Sequence, residues 1–258
     1  MTDAVLELRK IDKRFGAVQA LTQVDFVAYP GEVVALVGDN GAGKSTLVKV
    51  MSGVGPPSAG EVWWEGSPVR IDRPQEATAL GIATVYQDLA LCDNLDVVGN
   101  LFLGTEMARA TWLSEVDMEK QALALMKQLS VKIPTVRVPV AALSGGQRQS
   151  IAIARSLLGE PKLVILDEPT AALGVAQTAQ VLDLVIRLKE RGHAVVMISH
   201  NLADVFAVAD RVVVLRLGKN AGDFVVKDTD TDTIVSAITG AEAGGGRRAG
   251  LPSTESLG

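Results

Sequence analysis

A glycine-rich loop between an apolar run and a helix-forming segment constrains this 258-residue chain more than any other feature. The apolar run covers residues 33–37, and residues 38–46 read Gly-Asp-Asn-Gly-Ala-Gly-Lys-Ser-Thr, which fits the pattern G-x-x-x-x-G-K-[ST]. The glycines let the backbone wrap closely round an anion, and the following helix places its positive dipole end against it. The sequence therefore predicts a strand, a phosphate-binding loop and a helix, in that order.

The residue types in this loop indicate a nucleoside triphosphate with Mg²⁺ as the ligand. Lys44 is placed to reach the β- and γ-phosphates, Ser45 to give its hydroxyl to Mg²⁺, and Thr46 to donate to a phosphate oxygen. The residues predicted to bind nucleotide here are Gly38, Asn40, Gly41, Gly43, Lys44, Ser45 and Thr46. A glycine-rich turn that only caps a helix would match the same sequence pattern. A second site of matching chemistry is therefore needed to distinguish nucleotide binding from helix capping.

Two carboxylates at the end of a second apolar run supply that site. Residues 163–166 are Leu-Val-Ile-Leu, typical of a strand buried on both faces of a parallel sheet, and Asp167 and Glu168 follow directly. Catalytic groups of open α/β sheets lie at the carboxyl ends of strands. We predict that Asp167 holds Mg²⁺ and that Glu168 polarises the water that attacks the γ-phosphate. The simpler alternative is a strand that ends in solvated acids.

The pentapeptide Leu-Ser-Gly-Gly-Gln at residues 143–147 stands before a segment with helical periodicity. Ser144 at the N-cap and Gln147 three residues later would form a capping box, which explains those two residues. It does not explain Gly145 and Gly146, because glycine costs about 1 kcal/mol relative to alanine within a helix. Close approach of the backbone to another group, with a phosphate as the first candidate, would explain them.

With this pentapeptide, the chain resembles the ATP-binding subunits of ABC transporters over about residues 4–240. Four further elements lie in the family's order. The resemblance makes Phe15 the aromatic that stacks on adenine, and Gln87 the glutamine that senses the γ-phosphate and contacts Mg²⁺ or the attacking water. It also makes residues 171–174 the D-loop and His200 the switch histidine that touches the γ-phosphate.

The resemblance implies an α/β fold: a P-loop ABC-type ATPase core with an antiparallel β subdomain and an inserted helical subdomain. The expected domain covers residues 1–240, with the helical part at about 88–160. Residues 241–258, rich in glycine and polar residues, are predicted to form a disordered tail.

In this family two chains sandwich two ATP molecules, and the signature of one chain closes over the nucleotide of the other. The resemblance therefore places Ser144, Gly145, Gly146 and Gln147 on nucleotide, and implies a homodimer in the ATP-bound state. It also implies two transmembrane permease subunits and an extracytoplasmic sugar-binding protein as partners. The chain itself would lie peripherally on the cytoplasmic face of the cell membrane.

Two positions depart from the usual family pattern. Gly174 stands where the D-loop usually ends in aspartate, and Phe15 replaces the commoner tyrosine while keeping the π face. The sequence Ala-Ala-Leu-Gly-Val at residues 171–175 resembles single-cassette members associated with ribose, xylose or fructose import. A monosaccharide importer is thus the leading hypothesis.

Composition and local patterns add weaker expectations. A net charge of −5 argues against a basic surface that binds nucleic acid. The sequence has no run of 18 apolar residues, so it predicts no membrane-spanning helix. Residues 5–85 appear β-rich, with turn signals at 55–57 and 72–74, whereas residues 88–158 appear helical. His193 is interpreted as a solvent-exposed turn residue.

Other functions remain open at this point. Within the enzyme class, the cargo could be an amino acid, or transport could run outward. From another class, a soluble ABC ATPase acting on the ribosome or on DNA would usually carry two cassettes, a long coiled coil or a basic surface. A non-hydrolysing regulator would not require both Glu168 and His200.

Overall fold

A computed structural model describes residues 3–109 and 112–241, so the predicted tail lies outside the described residues except for Ala241. The strands are β1 (Leu6–Phe15), β2 (Val18–Ala28), β3 (Val33–Val37), β4 (Ala59–Trp64), β5 (Ser67–Val69), β6 (Ile82–Val85), β7 (Ala108–Arg109), β8 (Trp112–Leu113), β9 (Leu163–Asp167), β10 (Ala194–Ile198), β11 (Arg211–Arg216) and β12 (Lys219–Val225). The helices are α1 (Lys44–Met51), α2 (Pro74–Leu80), α3 (Val97–Phe102), α4 (Glu115–Gln128), α5 (Gly145–Ser156), α6 (Val175–Glu190), α7 (Leu202–Val208) and α8 (Thr231–Thr239), with single 3-10 turns at Val140–Ala142 and Val226–Asp228.

A six-stranded sheet in the order β12-β11-β3-β10-β9-β6 forms the centre. Its strands run parallel except β12, which pairs antiparallel with β11. Every residue of β3 and β10 is buried, as expected for strands covered on both faces. The strand order brings the carboxyl ends of β3, β9 and β10 together at one edge.

Alternate residues of the central strands face two separate cores. Val34 and Leu36 lie in a core shared with the antiparallel sheet β2-β1-β4-β5 and with α1. Val33, Ala35 and Val37 lie in a second core, shared with α3 to α7. The mixed α/β layering predicted from the sequence is confirmed, with the antiparallel sheet on one side and helices on the other.

Helices dominate residues 97–156, within the region expected to be helical. In the described part of the chain, every helix is too short or too polar to span a bilayer.

The structure corrects three local expectations. The turn signal at 72–74 opens a helix, since Pro74 occupies the first turn of α2, where a missing N–H costs nothing. The short hairpin β7–β8 interrupts the region expected to be helical, after Gly104 at φ 81° ends the run of α3. His193 is half-buried rather than exposed, because its Nδ1 lies 2.7 Å from the carbonyl oxygen of Pro161.

Candidate nucleotide site

The loop between β3 and α1 requires glycine at two of its positions. A Cβ on Gly38, at φ 148°, would lie 2.2 Å from the carbonyl oxygen of Leu215, and one on Gly43, at φ 105°, would lie 2.7 Å from Cδ2 of Leu21. Around Gly41, at φ 79°, no group lies within 4 Å of the Cβ position. The loop therefore packs tightly against the rest of the chain at both ends and is open at its middle. This shape forms a cradle that could hold a bound ligand.

Lys44 already occupies this cradle with its ammonium group. Its Nζ donates to the carbonyl oxygens of Gly38 at 2.6 Å and Asp39 at 3.0 Å, and the side chain is only 9% exposed. Burial lowers the pKa of Lys44, while the charges of Glu168, Asp39 and Asp167 act in the opposite direction. The loop backbone thus holds a buried cation within the cradle.

The other predicted residues of the loop lie around Lys44. Ser45 is exposed and Thr46 is half-buried, both in the first turn of α1, and Asn40 is exposed. A helix N-terminus with free N–H groups, an ammonium group and two hydroxyls is an arrangement suited to a polyphosphate.

Asp167 and Glu168 extend from the end of β9 toward the same edge. Burial, and then the charge of Glu168, raise the pKa of Asp167, whereas Lys44 lowers it. Glu168 takes a left-handed φ of 50°, and its N–H donates to the carbonyl oxygen of Ile198 at 3.0 Å. This strained position of a non-glycine residue is typical of functional sites.

His200 faces Glu168 across a cavity of about 210 Å³. The Nδ1 of His200 lies 3.4 Å from Oε1 of Glu168, and the His200 side chain is 69% exposed. The cavity is also lined by Thr170, Ala171, Ala172, Ser199, Asn201 and Asp204. The predicted catalytic pair is therefore brought together beside open solvent.

Sequence reasoning missed two residues of this cavity. The Thr170 hydroxyl donates to Oδ2 of Asp204 at 2.6 Å, and Asp204 is 7% exposed although it lies on the short helix α7. This hydrogen bond links the segment after Glu168 to the helix after His200. Only the position of Thr170 two residues beyond Glu168 could have pointed to it.

The signature residues have a structural role within their own chain. Ser144 and Gln147 form the expected capping box at the start of α5, with N···O distances of 3.3 Å and 3.0 Å. A Cβ on Gly145 would lie 2.9 Å from Cδ2 of Leu173, and one on Gly146 would lie 2.9 Å from Cβ of Gln177. The glycines therefore allow α5 to approach the D-loop and α6 closely. None of the described residues lining the His200 cavity belongs to the pentapeptide.

Phe15 and Gln87 are both exposed, on different elements. Phe15 ends β1 with 52% of its surface exposed, and its hairpin partner β2 supplies the Leu21 that contacts the loop at Gly43. Gln87 follows β6, which pairs parallel with β9, so it emerges at the same sheet edge as Asp167.

The donor set fits a magnesium nucleotide. A hydroxyl on Ser45 and a carboxylate on Asp167 are hard oxygen ligands, and Mg²⁺ typically combines one or two such groups with substrate phosphates and water. The amide oxygen of Gln87 is a third candidate of the same type.

Comparison with known proteins decides the family. The family model described as ABC transporter matches residues 21–171. The chain belongs to the ABC transporter family. As an ABC ATPase, it binds and hydrolyses ATP.

Two curated relatives match this ABC ATPase over nearly their whole length. The fructose import ATP-binding protein FrcA of Rhizobium meliloti is 44% identical, covering 93% of this chain and 95% of that protein. The xylose/arabinose import ATP-binding protein XylG of Sulfolobus acidocaldarius is 42% identical, covering 91% and 94%. The ribose import ATP-binding protein RbsA 2 of Rhizobium meliloti is 42% identical, but the match covers only 50% of that longer protein.

Solved cassettes have the same fold. An ATP-binding cassette of an ABC transporter in its ADP conformation gives a TM-score of 0.82 at 26% identity, covering 93% of this chain and 100% of that one. A dimeric cassette in a post-hydrolysis state, bound to ADP and Pi, gives a TM-score of 0.72 at 26% identity, covering 86% and 98%.

Proposed function

We propose that this ABC ATPase powers the uptake of a monosaccharide. In this proposal it works as a homodimer on the cytoplasmic face of the membrane, bound to two permease subunits that receive sugar from an extracytoplasmic binding protein. The observation that carries the proposal is the end-to-end match to fructose and xylose/arabinose import proteins of the same single-cassette length.

The nucleotide is held by the loop of residues 38–43 with Lys44, by Phe15, and by the residues that bind Mg²⁺. The backbone of residues 38–43 and the ammonium group of Lys44 bind the phosphates, with Lys44 exchanging its contacts with Gly38 and Asp39 for phosphate oxygens. Phe15 stacks on adenine. Ser45, Asp167 and Gln87 hold Mg²⁺, whose positive charge offsets the charge of the phosphates.

Hydrolysis depends on the Glu168 and His200 pair. Glu168 orients a water and takes its proton as the oxygen bonds to the γ-phosphorus and the bond to the ADP oxygen breaks. His200 donates to a γ-phosphate oxygen and, at 3.4 Å, keeps the carboxylate of Glu168 turned toward the cavity. Gln87, which follows the neighbouring strand β6, senses the γ-phosphate.

Closure by a second copy completes the site. The family resemblance places Ser144, Gly145, Gly146 and Gln147 on the nucleotide of a partner subunit, and Ser144 at the start of α5 is exposed to meet it. Because phosphoryl transfer depends on positioning and charge, closure switches hydrolysis on, and loss of the bridging phosphate lets the dimer open.

The test is isolation of the tagged chain with MgATP from its own cells after mild detergent treatment, followed by mass spectrometry. We expect a polytopic permease and a solute-binding protein. The permease complex is then reconstituted and tested for ATP-dependent uptake of a panel of labelled monosaccharides, with amino acids as the matched control panel. Co-isolation of ribosomal or DNA-repair proteins, or uptake of amino acids alone, would contradict the proposal.

A further inference from the structure

We propose that Arg155 is a positioning residue that fixes the Gln87 loop to the helix that carries the signature. Arg155 lies in the last turn of α5, and its guanidinium donates to two successive backbone carbonyls, of Leu89 at 2.9 Å and of Ala90 at 2.8 Å. A planar fork of N–H donors matches two adjacent acceptors, which a lysine ammonium does not.

The loop needs this support because a cavity lies beside it. A cavity of about 360 Å³ is lined by residues on both sides of the contact, among them Tyr86, Asp88, Leu89, Ala90 and Arg155. Leu89 and Leu91 pack partly against the helical core, and the cavity leaves the other side of the loop without such packing. The Arg155 guanidinium bonds the loop backbone beside this cavity, and Asn100 bonds the far end of the loop at Cys92.

The backbone of the loop is also strained where Arg155 binds. Ala90 takes a left-handed φ of 48°, which costs roughly 1 kcal/mol for a residue with a Cβ. The Asp88 carboxylate accepts from the Ala90 N–H at 3.1 Å, so the turn is held by one side chain from within and by Arg155 from α5.

The consequence is a mechanical link along α5. The signature caps the first turn of this helix and Arg155 occupies its last, about 16 Å away at 1.5 Å per residue. When the nucleotide bound to a partner subunit moves the N-terminal end of α5, the helix moves Arg155 with it. The hydrogen bonds of Arg155 then move residues 89 and 90, and with them Gln87. This inference rests on the proposed role of Gln87 in sensing the γ-phosphate.

The test is a double-mutant cycle between Arg155→Lys and Gln87→Ala, with Arg70→Lys as control. Arg70 is exposed and pairs with Asp72 at the surface. We expect Arg155→Lys to keep the Kd for ATP and to lower kcat about tenfold, since a small misplacement of a positioned group has effects of this size or larger. In the Gln87→Ala background the same substitution should have little further effect.

Amide exchange gives a readout independent of turnover. Arg155→Lys should speed exchange at residues 88–92 about tenfold, with no such change in Arg70→Lys.

The possible failures are distinguishable. Undiminished hydrolysis in Gln87→Ala would remove the proposed role of Gln87 itself. If Gln87→Ala lowers turnover strongly, two results would overturn only the link through Arg155. One is wild-type turnover and amide exchange in Arg155→Lys, and the other is additive effects on turnover in the double variant.

Discussion

His200 and Glu168 face each other, with 3.4 Å between Nδ1 and Oε1, although they follow different strands. The parallel register of β9 and β10 pairs Asp167 with Ile198, so the residues just beyond each strand emerge side by side. The strand order of the central sheet thus assembles the proposed catalytic pair from distant parts of the chain.

Lys44→Ala should weaken ATP binding about 10- to 100-fold, because a charged hydrogen bond to phosphate is lost from a buried position. Calorimetric titration with ATP measures the effect. Lys49→Ala is the control, since Lys49 lies on the same helix with its side chain exposed. An unchanged Kd in Lys44→Ala would contradict the cradle.

Asp167→Asn should stabilise the nucleotide-free protein at neutral pH by about 2 °C in Tm. Burial and the charge of Glu168 raise the pKa of Asp167, so ionisation of this carboxyl costs folding free energy. The variant's advantage should be absent below about pH 3, where the carboxyl is protonated in both states, and should grow as pH rises from the unfolded-state pKa through the folded-state pKa.

Thermal unfolding from about pH 3 to 7.5 checks this, with Asp183→Asn on the exposed side of α6 as control. Added MgATP should raise the Tm of the wild type more than that of Asp167→Asn, because the variant loses the proposed magnesium ligand. A lower Tm for Asp167→Asn at neutral pH without nucleotide would refute the electrostatic argument.

Gly146→Ala should destabilise the isolated chain even without ATP. Its Cβ would lie 2.9 Å from Cβ of Gln177, and overpacking at the middle of the usual range costs about 2 kcal/mol, against a gain of about 1 kcal/mol from helix propensity. We expect a fall of about 2 °C in Tm. Gly159→Ala, where no group lies within 4 Å, is the control. Equal Tm values would leave phosphate contact as the sole reason for the glycine.

Gly174→Asp should raise Tm by about 1 °C while restoring the carboxylate usual in the family's D-loop. Gly174 is the N-cap of α6 at φ −73°, and no group lies within 4 Å of its Cβ position. Gly174→Asn caps the helix equally without the charge, so a difference between the two variants in the ATP dependence of turnover isolates the carboxylate. Destabilisation by both would show that the position is more crowded than the geometry indicates.

The central strands and the nucleotide loop could be predicted from sequence because each has a physical signature that does not depend on distant residues. Strands buried on both faces appear as unbroken apolar runs, as in β3 and β9. The glycines of residues 38–43 follow from backbone geometry, and the clashes at Gly38 and Gly43 explain them.

Features that arise only from tertiary packing were missed. The proximity of Thr170 and Asp204 depends on which strands are neighbours, and Arg155 is noticed only once α5 lies beside the loop after β6. The half-buried position of His193 likewise depends on Pro161. Chain-distant contacts of this kind leave no local pattern.

Phosphate release by Glu168→Gln tests the proposed role of this carboxylate, with Glu160→Gln, an exposed acid outside the site, as the control. We expect Glu168→Gln to bind MgATP with wild-type affinity, to form a stable dimer detected by light scattering, and to hydrolyse ATP about 10²- to 10⁴-fold more slowly. Glu160→Gln should behave as the wild type. Wild-type turnover in Glu168→Gln would contradict the central claim that the carboxylate facing His200 activates the attacking water.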